Sequence, residues 1–385
     1  MPLKAKRKSI IIIQNKNRRK NTRKKEKEMQ VKKNCRYAVA CPTSMGVRIT
    51  PKDRMAVQLS TEYLLRATSA ETNVLNVSSS LGHECLALTR FVKGSPIADY
   101  IKRELRSRNI SFVGADVPQG GPWGYRHQFN IADSGFGLRA PRVWNDRAGE
   151  VGRELDASEY DLEQIFDRDG VAIMHLSGLI AAMSEKTTKC CLALVEKAKE
   201  SGTLVSFDLN YRATFWEGRE KELREAFTTI ASKADILIGN EEDFQLCLGL
   251  AGPEAGGSNL SEKIESFKKM IEEVKKQFPQ ASVYATTLRE VVSANEHLWG
   301  AILRYGDTWV VEEPRPIPVM DRIGGGDGFS GGVLYGILNE WEPEKCLQFG
   351  WASGVMAASS LHDYAEPADE KQVFDIYKGN ARVQR

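Results

Sequence analysis

Apolar runs alternate with stretches of helical periodicity along the second half of the chain. The run VAIMHLSGL (171–179) is apolar throughout, as in a buried strand, and Lys186–Ser201 has apolar residues at the spacing of an amphipathic helix. The same pattern predicts further strands near 203–212, 234–244 and 282–290, helices near 220–233 and 263–277, a hairpin at 300–314, and terminal helices near 328–340, 343–361 and 369–378. This alternation predicts an α/β fold with a mostly parallel central sheet and helices on both faces, which makes three layers.

The first half is less regular. A strand and its turn are predicted at 35–50, a helix at 69–84 and a strand at 85–91, followed by a helix that starts near Ser95–Pro96. Residues 111–147 are rich in glycine, proline and aromatic residues, with short strand-like pieces, and suit a lid better than a layer of the core.

Polar residues cluster where the predicted strands end. In an open parallel sheet the carboxyl ends of the strands share one rim, and ligands bind there. We therefore expect one site to be formed by Asn210, Arg212, Asn240, Asp243, Thr286, Thr287 and Asp327.

The stretch DRIGGGDGFSGG (321–332) contains an acid directly after three glycines. Ordering three successive glycines is costly, so such a loop indicates a left-handed turn or a close approach of the backbone to a ligand. The segment that follows is predicted to be a helix, so Gly324, Gly325 and Gly326 would present free N–H groups as an anion site. Asp327 is then either an ordinary N-cap or a general base beside a phosphate.

If the anion is a transferring phosphoryl group, a magnesium ion is expected to bridge the phosphates of the donor. NEED (240–243) offers oxygen ligands at a strand end, and an ordinary acidic first turn of a helix would look the same. Arg147 and Arg212 are candidates for an acidic substrate group or a phosphate, and the alternative for both is a surface salt bridge.

Charge is distributed unevenly along the 385 residues. Residues 1–34 hold fourteen Lys and Arg against two Glu, a net charge of +12, so the remaining chain carries −9 of the overall +3. This leader is predicted to be disordered and dispensable, and nucleic-acid binding, contact with an anionic membrane surface and targeting are its alternatives. The acidic body argues against nucleic-acid binding. The seven cysteines lack metal-ligand spacing and the chain lacks an 18-residue apolar run, which favours a cytoplasmic protein with reduced thiols.

The sequence resembles the ribokinase-like (PfkB) carbohydrate kinases, through DRIGGGDGF above all. FDLNYRATFW, IGNEEDFQ, ATTLREVVSANEHLWGAIL, NDRAG and NARVQR resemble the 2-keto-3-deoxygluconate kinase branch of that family. The resemblance covers about residues 37–385. It implies a Rossmann-like α/β/α sandwich as one kinase domain over 35–385, a small β lid from about 43–66 and 111–147, ATP as donor, Mg²⁺, and a homodimer formed through the lid.

The resemblance also assigns roles to residues. It implies that Asp327 is the catalytic base and that Gly324, Gly325 and Gly326 form the anion hole. The metal motif falls on Asn240 and Asp243. Nucleotide contacts fall on Thr286, Leu288, Ser353 and Gly354, and substrate contacts on Asn73, Arg147 and Arg212.

Three positions depart from the family pattern. Thr68 and Ser69 stand where a Gly-Gly pair usually precedes Asn73, the first strand ends in PTSMG rather than Gly-Glu or Gly-Asp, and the metal motif reads N-x-x-D rather than N-x-x-E. The first two changes concern the acceptor side. They are compatible with the kinase hypothesis, but they leave the identity of the sugar undetermined.

The leading hypothesis is an ATP-dependent kinase of a small sugar or sugar acid, with 2-keto-3-deoxygluconate as the first candidate and another ketose or sugar acid as the second. A non-catalytic sugar- or nucleotide-binding protein on the same fold is the alternative from another class. A Rossmann oxidoreductase would need G-x-G-x-x-G after the first strand, and the N-terminal region has no such pattern.

Overall fold

A large twisted sheet organises the computed structural model, which describes residues 29–252 and 260–382. The strands of the described residues, numbered in chain order, are β1 (Tyr37–Pro42), β2 (Gly46–Pro51), β3 (Tyr63–Thr68), β4 (Cys85–Val92), β5 (Ile110–Val117), β6 (Gln128–Asp133), β7 (Arg142–Asp146), β8 (Val171–Ser177), β9 (Leu204–Asp208), β10 (Ile236–Ile238), β11 (Val283–Ser293), β12 (Glu296–Tyr305) and β13 (Thr308–Pro318). The large sheet has the order β13-β12-β11-β10-β9-β8-β1-β4-β5. Its strands from β5 to β11 run parallel, and β12 and β13 are added antiparallel.

Helices cover both faces of this sheet. They are α1 (Ala70–Ser80), α2 (Pro96–Ser107), α3 (Gly178–Ala182), α4 (Glu185–Glu200), α5 (Ala213–Trp216), α6 (Glu220–Ala231), α7 (Glu241–Leu248), α8 (Leu260–Gln277), α9 (Gly325–Leu338), α10 (Pro343–Ala358) and α11 (Glu370–Lys378). Neighbouring residues of a buried strand point to opposite faces, so Ile173 and Met174 of β8 belong to two different apolar cores. One core packs on α3, α4 and α6–α8, and the other on α1, α2 and α9–α11. The predicted three-layer α/β/α architecture is confirmed.

A separate small sheet lies beside the large one, in the order β3-β2-β6-β7. Strands β2 and β6 pair parallel, and the two outer pairs are antiparallel. This small sheet corresponds to the expected lid. Its boundary differs from the prediction, because residues 110–117 form β5 at the edge of the large sheet, paired with β4. In the predicted lid segment 111–147, the first strand that belongs to the small sheet is β6, which starts at Gln128, after the glycine-rich loop.

The two faces of the small sheet differ in polarity. Leu65, Ile49, Ile131 and Trp144 form one row across its four strands, and Leu65 and Trp144 are exposed. The opposite face carries Arg48, which is buried against the rest of the molecule. An apolar outer row of this kind is a candidate surface for association.

The predicted leader divides into two parts. Its first 28 residues lie outside the described residues. Met29 and Val31 pack against the core that includes α9 and α10, and Lys32 Nζ donates to the carbonyl oxygen of Phe166 at 2.8 Å. Residues 29–34 therefore contact the folded body, although their charge pattern predicts a free tail. In the described part of the chain, no helix has the length and apolar character needed to cross a membrane.

Candidate active site

The glycine loop and α9 form the centre of the site. Gly324 is the N-cap of α9 with φ of +82°, and a Cβ there would lie 1.6 Å from the carbonyl oxygen of Asp363. Both the left-handed backbone and the close approach require glycine. A Cβ on Gly326 would meet nothing within 4 Å, so its surroundings are open. The first N–H groups of a helix have no acceptor within the helix and favour an anion, as expected for residues 324–327.

Asp327 is the third residue of α9 rather than its N-cap. The alternative of a simple capping residue is therefore wrong, because Gly324 holds that position and no side chain caps the helix. One carboxylate oxygen of Asp327 accepts a hydrogen bond of 2.9 Å from Nδ2 of Asn73, which lies on α1. Two residues 254 positions apart, to which the resemblance assigns a substrate contact and the catalytic base, are thus brought together.

The pKa of Asp327 is raised to about 7. Burial of the carboxylate is the main cause, and the charges of Glu71 and Asp363 add to it, whereas the Asn73 hydrogen bond and Arg212 oppose it. A carboxylate that titrates near neutral pH is well matched to accept a proton from a hydroxyl.

The end of β9 faces the same place. Asp208, its last residue, lies 3.4 Å by its Oδ2 from the hydroxyl of Ser330 on α9, and its Oδ1 accepts the N–H of Asn210 at 3.2 Å. Burial raises the pKa of Asp208 well above its ordinary range, and the negative charges of Asp243 and Asp327 raise it further. Asn210 has φ of +37° and a buried Oδ1 that lacks a hydrogen-bond partner in the described structure. Sequence reasoning missed Asp208, although an acid closing an apolar strand is a visible signal.

Asn240 and Asp243 form a capping box at the start of α7. Asn240 Oδ1 accepts the N–H of Asp243 at 2.9 Å, and Asp243 Oδ2 accepts the N–H of Asn240 at 2.8 Å. The other oxygen of Asp243 accepts the N–H of Tyr211 at 2.9 Å. The predicted metal motif is thus also the ordinary helix start that was its alternative, and it ties α7 to the loop after β9.

The implied Mg²⁺ can be tested against this donor set. Asp208 and Asp243 are oxygen donors, and the buried Asp208 carboxylate, whose pKa is raised by burial and then by the charges of Asp243 and Asp327, is a group that a divalent cation would stabilise. The described residues contain no ready-made group of three or more metal-ligating side chains. Mg²⁺ commonly keeps several waters and binds one or two carboxylates plus substrate phosphates, so the residues fit the ion.

The side towards the small sheet holds two buried glutamates. Glu71 accepts hydrogen bonds from the hydroxyls of Thr43, at 2.7 Å, and of Ser177. Glu150 accepts the guanidinium of Arg147 at 2.8 Å. Arg147 therefore forms a salt bridge, but a largely buried one, and its guanidinium lies 5.5 Å from the ring of Phe215. Arg212 is exposed and donates to the carbonyl of Tyr211, with no carboxylate within 4 Å in the described structure.

The residues that replace the usual Gly-Gly pair have structural roles. The Ser69 hydroxyl caps α1 by accepting the N–H of Thr72 at 3.1 Å, and the Thr68 hydroxyl donates to Asp363 at 2.7 Å. Because α1 carries Asn73, both replacements position that residue and the loop next to Gly324.

The predicted nucleotide residues separate into two groups. Thr286 and Leu288 lie within β11, not after it, but the pairing of β10 with β11 ends at Ala285, so both extend past the neighbouring strand. The Thr286 hydroxyl is buried without a hydrogen-bond partner in the described residues, as a ligand group would be. Ser353 and Gly354 lie instead in the interface of α10 with α9 and the glycine loop, where Ser353 is fully buried. Their nucleotide contact stays a prediction.

Sequence reasoning also missed a pair of arginines beside the glycine loop. Arg289 pairs with Trp299 across β11 and β12, and the indole of Trp299 lies 3.7 Å from where a Cβ on Gly325 would stand. The charges of Arg289 and Arg322 both act on His297, whose pKa burial lowers to about 4. Neither arginine has a carboxylate within 4 Å among the described residues, although the charge of Glu241 acts on Arg289, and both side chains are exposed. Arg322 and His297 also line a cavity of about 240 Å³ between residues 137–141 and the β11–β12 hairpin.

Proteins similar to this chain are found by sequence and by structure. A 2-dehydro-3-deoxygalactonokinase of Haloferax volcanii is 25% identical over 341 residues, which cover 88% of this chain and 96% of that protein. A 5-dehydro-2-deoxygluconokinase of Clostridium perfringens is 26% identical, and the match spans 56% of each chain. The crystal structure of a Thermotoga maritima 2-dehydro-3-deoxygluconokinase superposes with a TM-score of 0.79 at 24% identity, covering 89% of this chain and 98% of that one.

The family model for pfkB family carbohydrate kinases matches residues 153–369, more than half of the chain. That range contains β9, the capping box and the glycine loop with Asp327, which are the elements that converge at the rim. The fold, the glycine loop and this match agree, and the chain belongs to the pfkB family of carbohydrate kinases, the ATP-dependent sugar kinases.

Proposed function

We propose that the chain transfers the terminal phosphoryl group of ATP to a hydroxyl of a small sugar or sugar acid, and that 2-keto-3-deoxygluconate, phosphorylated at its 6-hydroxyl, is the first acceptor to test. One observation carries the proposal. Asp327, with a pKa of about 7, stands at the open N-terminus of α9 and is oriented by Asn73. A base and an anion site within one helical turn suit phosphoryl transfer.

Each group has a defined part in the reaction. The acceptor hydroxyl gives its proton to Asp327 as its oxygen forms a bond to the terminal phosphorus of ATP. The bond from that phosphorus to the bridging oxygen breaks, and ADP leaves with the electron pair. The backbone N–H groups of 324–327 stabilise the charge that develops on the transferred group. Mg²⁺, which Asp208 and Asp243 would hold largely through water, neutralises charge on the donor phosphates when it is bound.

The names of the relatives and the exposed guanidinium of Arg212 support a sugar acid as acceptor. The names of all three relatives contain a dehydro-deoxy sugar acid. Arg147 is neutralised by Glu150, whereas Arg212 remains available for a substrate carboxylate or for a phosphate. A different ketose or sugar acid is the second candidate, because the acceptor side departs from the family pattern at Thr68 and Ser69.

Arg289 and Arg322 are proposed to bind the phosphate chain of the nucleotide. They lie beside the glycine loop without carboxylate partners among the described residues, and guanidinium groups bind phosphate oxygens strongly. Thr286, Leu288, Ser353 and Gly354 are the proposed remaining nucleotide contacts. We expect Arg289→Gln and Arg322→Gln to weaken ATP binding about tenfold or more and AMP binding far less. Equal losses for ATP and AMP, or no loss, would contradict the assignment of these arginines to the phosphates. The control is Arg103→Gln, at an exposed position of α2.

The test of the main proposal is ADP release from Mg-ATP with a panel of acceptors. The panel contains 2-keto-3-deoxygluconate, its C4 epimer 2-keto-3-deoxygalactonate, 5-dehydro-2-deoxygluconate, ribose and fructose. Turnover on one sugar acid, lost in Asp327→Asn, supports both the reaction and the base. Turnover on a neutral sugar alone would contradict the proposed acceptor, whereas the proposed kinase activity would be supported.

The alternative from another class is a non-catalytic sugar- or nucleotide-binding protein. It predicts binding of ATP or sugar by calorimetry without ADP release on any acceptor. The intact Asp327 and its contact with Asn73 favour the kinase.

Two further properties belong to the proposal. We expect a homodimer formed through the apolar outer row of the small sheet, which leaves Leu65 and Trp144 exposed in the single chain. We also expect the protein to work in the cytoplasm, since all seven cysteines are free thiols in the structure.

A further inference from the structure

A buried arginine joins the small sheet to the glycine loop. Arg48 lies in the middle of β2 and is 1% exposed, although its nearest neighbours in the sequence are strand residues of the small sheet. Its guanidinium donates to the carboxylates of Asp321 and Asp363, which are almost completely buried as well. A buried charge is stable only when it is paired and hydrogen-bonded, so this arrangement is a specific one.

Both aspartates hold the glycine loop. Asp321 begins the loop, and its other oxygen accepts the N–H of Ile323 at 3.0 Å. The carbonyl oxygen of Asp363 lies directly against Gly324, where a Cβ would come within 1.6 Å. The second carboxylate oxygen of Asp363 accepts the hydroxyl of Thr68, the last residue of β3.

The connection continues to the base. Thr68 precedes Ser69, the N-cap of α1, and α1 carries Asn73, which hydrogen-bonds to Asp327. The small sheet therefore reaches the anion site by two routes, through Arg48 to the loop and through Thr68 and α1 to the base.

We propose that Arg48 is a positioning residue that fixes the N–H groups of the glycine loop from the small sheet. Its contacts hold Asp321, at the start of the glycine loop, and Asp363, whose carbonyl lies against Gly324, in fixed positions relative to each other. Arg48 touches neither the acceptor nor the nucleotide in this role. The inference rests on the proposed function only for the kinetic part of its test.

A matched control stands on the neighbouring strand. Arg66 of β3 is paired directly with Arg48 in the strand register, so both side chains project from the same face of the small sheet. Arg66 is partly exposed, donates to the carbonyl of Leu65 and hydrogen-bonds to the hydroxyl of Tyr100, and has no carboxylate within 4 Å among the described residues. Arg48→Lys keeps the charge but cannot bridge two carboxylates in the planar geometry of a guanidinium.

The first measurement is amide hydrogen exchange in Arg48→Lys, Arg66→Lys and the wild-type protein. We expect faster exchange in peptides that cover 321–328 for Arg48→Lys alone, with unchanged exchange in β8 and α4. Exchange at the wild-type rate in the loop would overturn the proposal. A rise spread evenly over the whole molecule would also overturn it, because Arg48 would then contribute only to general stability.

The second measurement is kinetic. We expect Arg48→Lys to lower kcat about 10²-fold while the KM for ATP changes little, since the loop acts on charge that develops in the transition state. A lower kcat with unaltered exchange in 321–328 would contradict the proposal. If Arg48→Lys does not fold, Thr68→Val, which removes only the hydroxyl bond to Asp363, should raise exchange in the same peptides to a smaller extent, and no rise there would overturn the inference. Wild-type protein that turns over no acceptor would defeat the proposed function and leave the exchange test intact.

Discussion

At the scale of single residues, the titration of Asp327, the proposed base, should set the pH range in which the enzyme is active. Its pKa is raised to about 7, and a general base must be deprotonated. We therefore expect kcat/KM for the acceptor to fall as the pH decreases through about 7, by tenfold per pH unit below that value. The check is a pH profile of kcat/KM.

A substitution of Asn73 tests the direction in which its hydrogen bond shifts the pKa of Asp327. Its hydrogen bond lowers the pKa of Asp327 against the larger effect of burial. Replacing Asn73 by Ala should therefore move the acidic limb of kcat/KM to higher pH and lower its plateau. A limb that moves to lower pH, or stays in place, would show that Asn73 does not contact the ionised base.

The base also affects stability. A carboxylate whose pKa is higher in the folded than in the unfolded state binds its proton more tightly when folded, so stability is lost as the pH rises from about 4 to about 7. Asp327→Asn removes that loss. We expect its free energy of unfolding at pH 8 to exceed that of the wild type by on the order of 1 kcal/mol, while turnover falls about 10³-fold. At pH 4 the difference should vanish, which urea unfolding at both pH values measures.

At the scale of elements, Gly324 and Gly326 are expected to differ in function: Gly324 in the stability of the fold, Gly326 in anion binding. Gly324→Ala places a methyl group on a left-handed residue against the carbonyl of Asp363, so we expect a loss of more than about 2 kcal/mol of stability. Gly326→Ala meets no atom within 4 Å and should keep the stability of the fold within about 1 kcal/mol. Its methyl group projects from the open start of α9, so turnover should still fall by about 10². Unfolding midpoints and kcat for the two variants provide the comparison, and full activity in Gly326→Ala would place the anion elsewhere.

The elements themselves were largely predictable. Alternating apolar runs and helical periods locate β8, α4, β9 and α9 to within a few residues, because burial imposes those periods locally. The hairpin at Gly306 was predicted correctly from its turn residues. The edge strand β5 was mistaken for lid, because an edge strand is only half buried and its apolar pattern resembles that of a surface segment.

The candidate site could be predicted from the sequence only where its residues lie together in one short motif. Asp327 and its glycines lie within four positions of one another, so a single stretch shows them. Arg48 lies 315 positions from Asp363, so no pattern of neighbouring residues in the sequence could predict that ion pair. Asp208 and Arg289 were missed for a related reason, since their meaning depends on charges brought near them by the fold.

At the scale of the whole molecule, the boundary of the leader can be measured. Removing residues 1–28 should leave stability and turnover unchanged. Removing residues 1–34 takes away the packing of Met29 and Val31 and the hydrogen bond of Lys32, and should cost roughly 1–3 kcal/mol. This revises the expectation that residues 1–34 are dispensable. Equal unfolding midpoints for the two truncations would restore that expectation.

The proposed dimer is a second property of the whole molecule. Trp144→Glu places a charge in the apolar row of the small sheet and should convert a dimer into a monomer in sedimentation velocity. Trp123→Glu is the matched control, because Trp123 is 97% exposed but lies outside the small sheet. A wild-type monomer at micromolar concentration, or equal behaviour of the two variants, would contradict the expected interface.

The close contact of α9 with its neighbours has a consequence for engineering. Gly331 lies against the backbone of α1, and Gly328 and Gly332 lie against that of α10, so added side chains have no room on either side. The helix that carries the proposed base is thus closed to variation. On the polar face of the small sheet Arg48 is held by its two aspartates, whereas Asn130 is only partly buried and Asn145 is exposed. A library aimed at new acceptors should therefore randomise Asn130 and Asn145 on that face. Variation in α9 should yield mostly inactive protein.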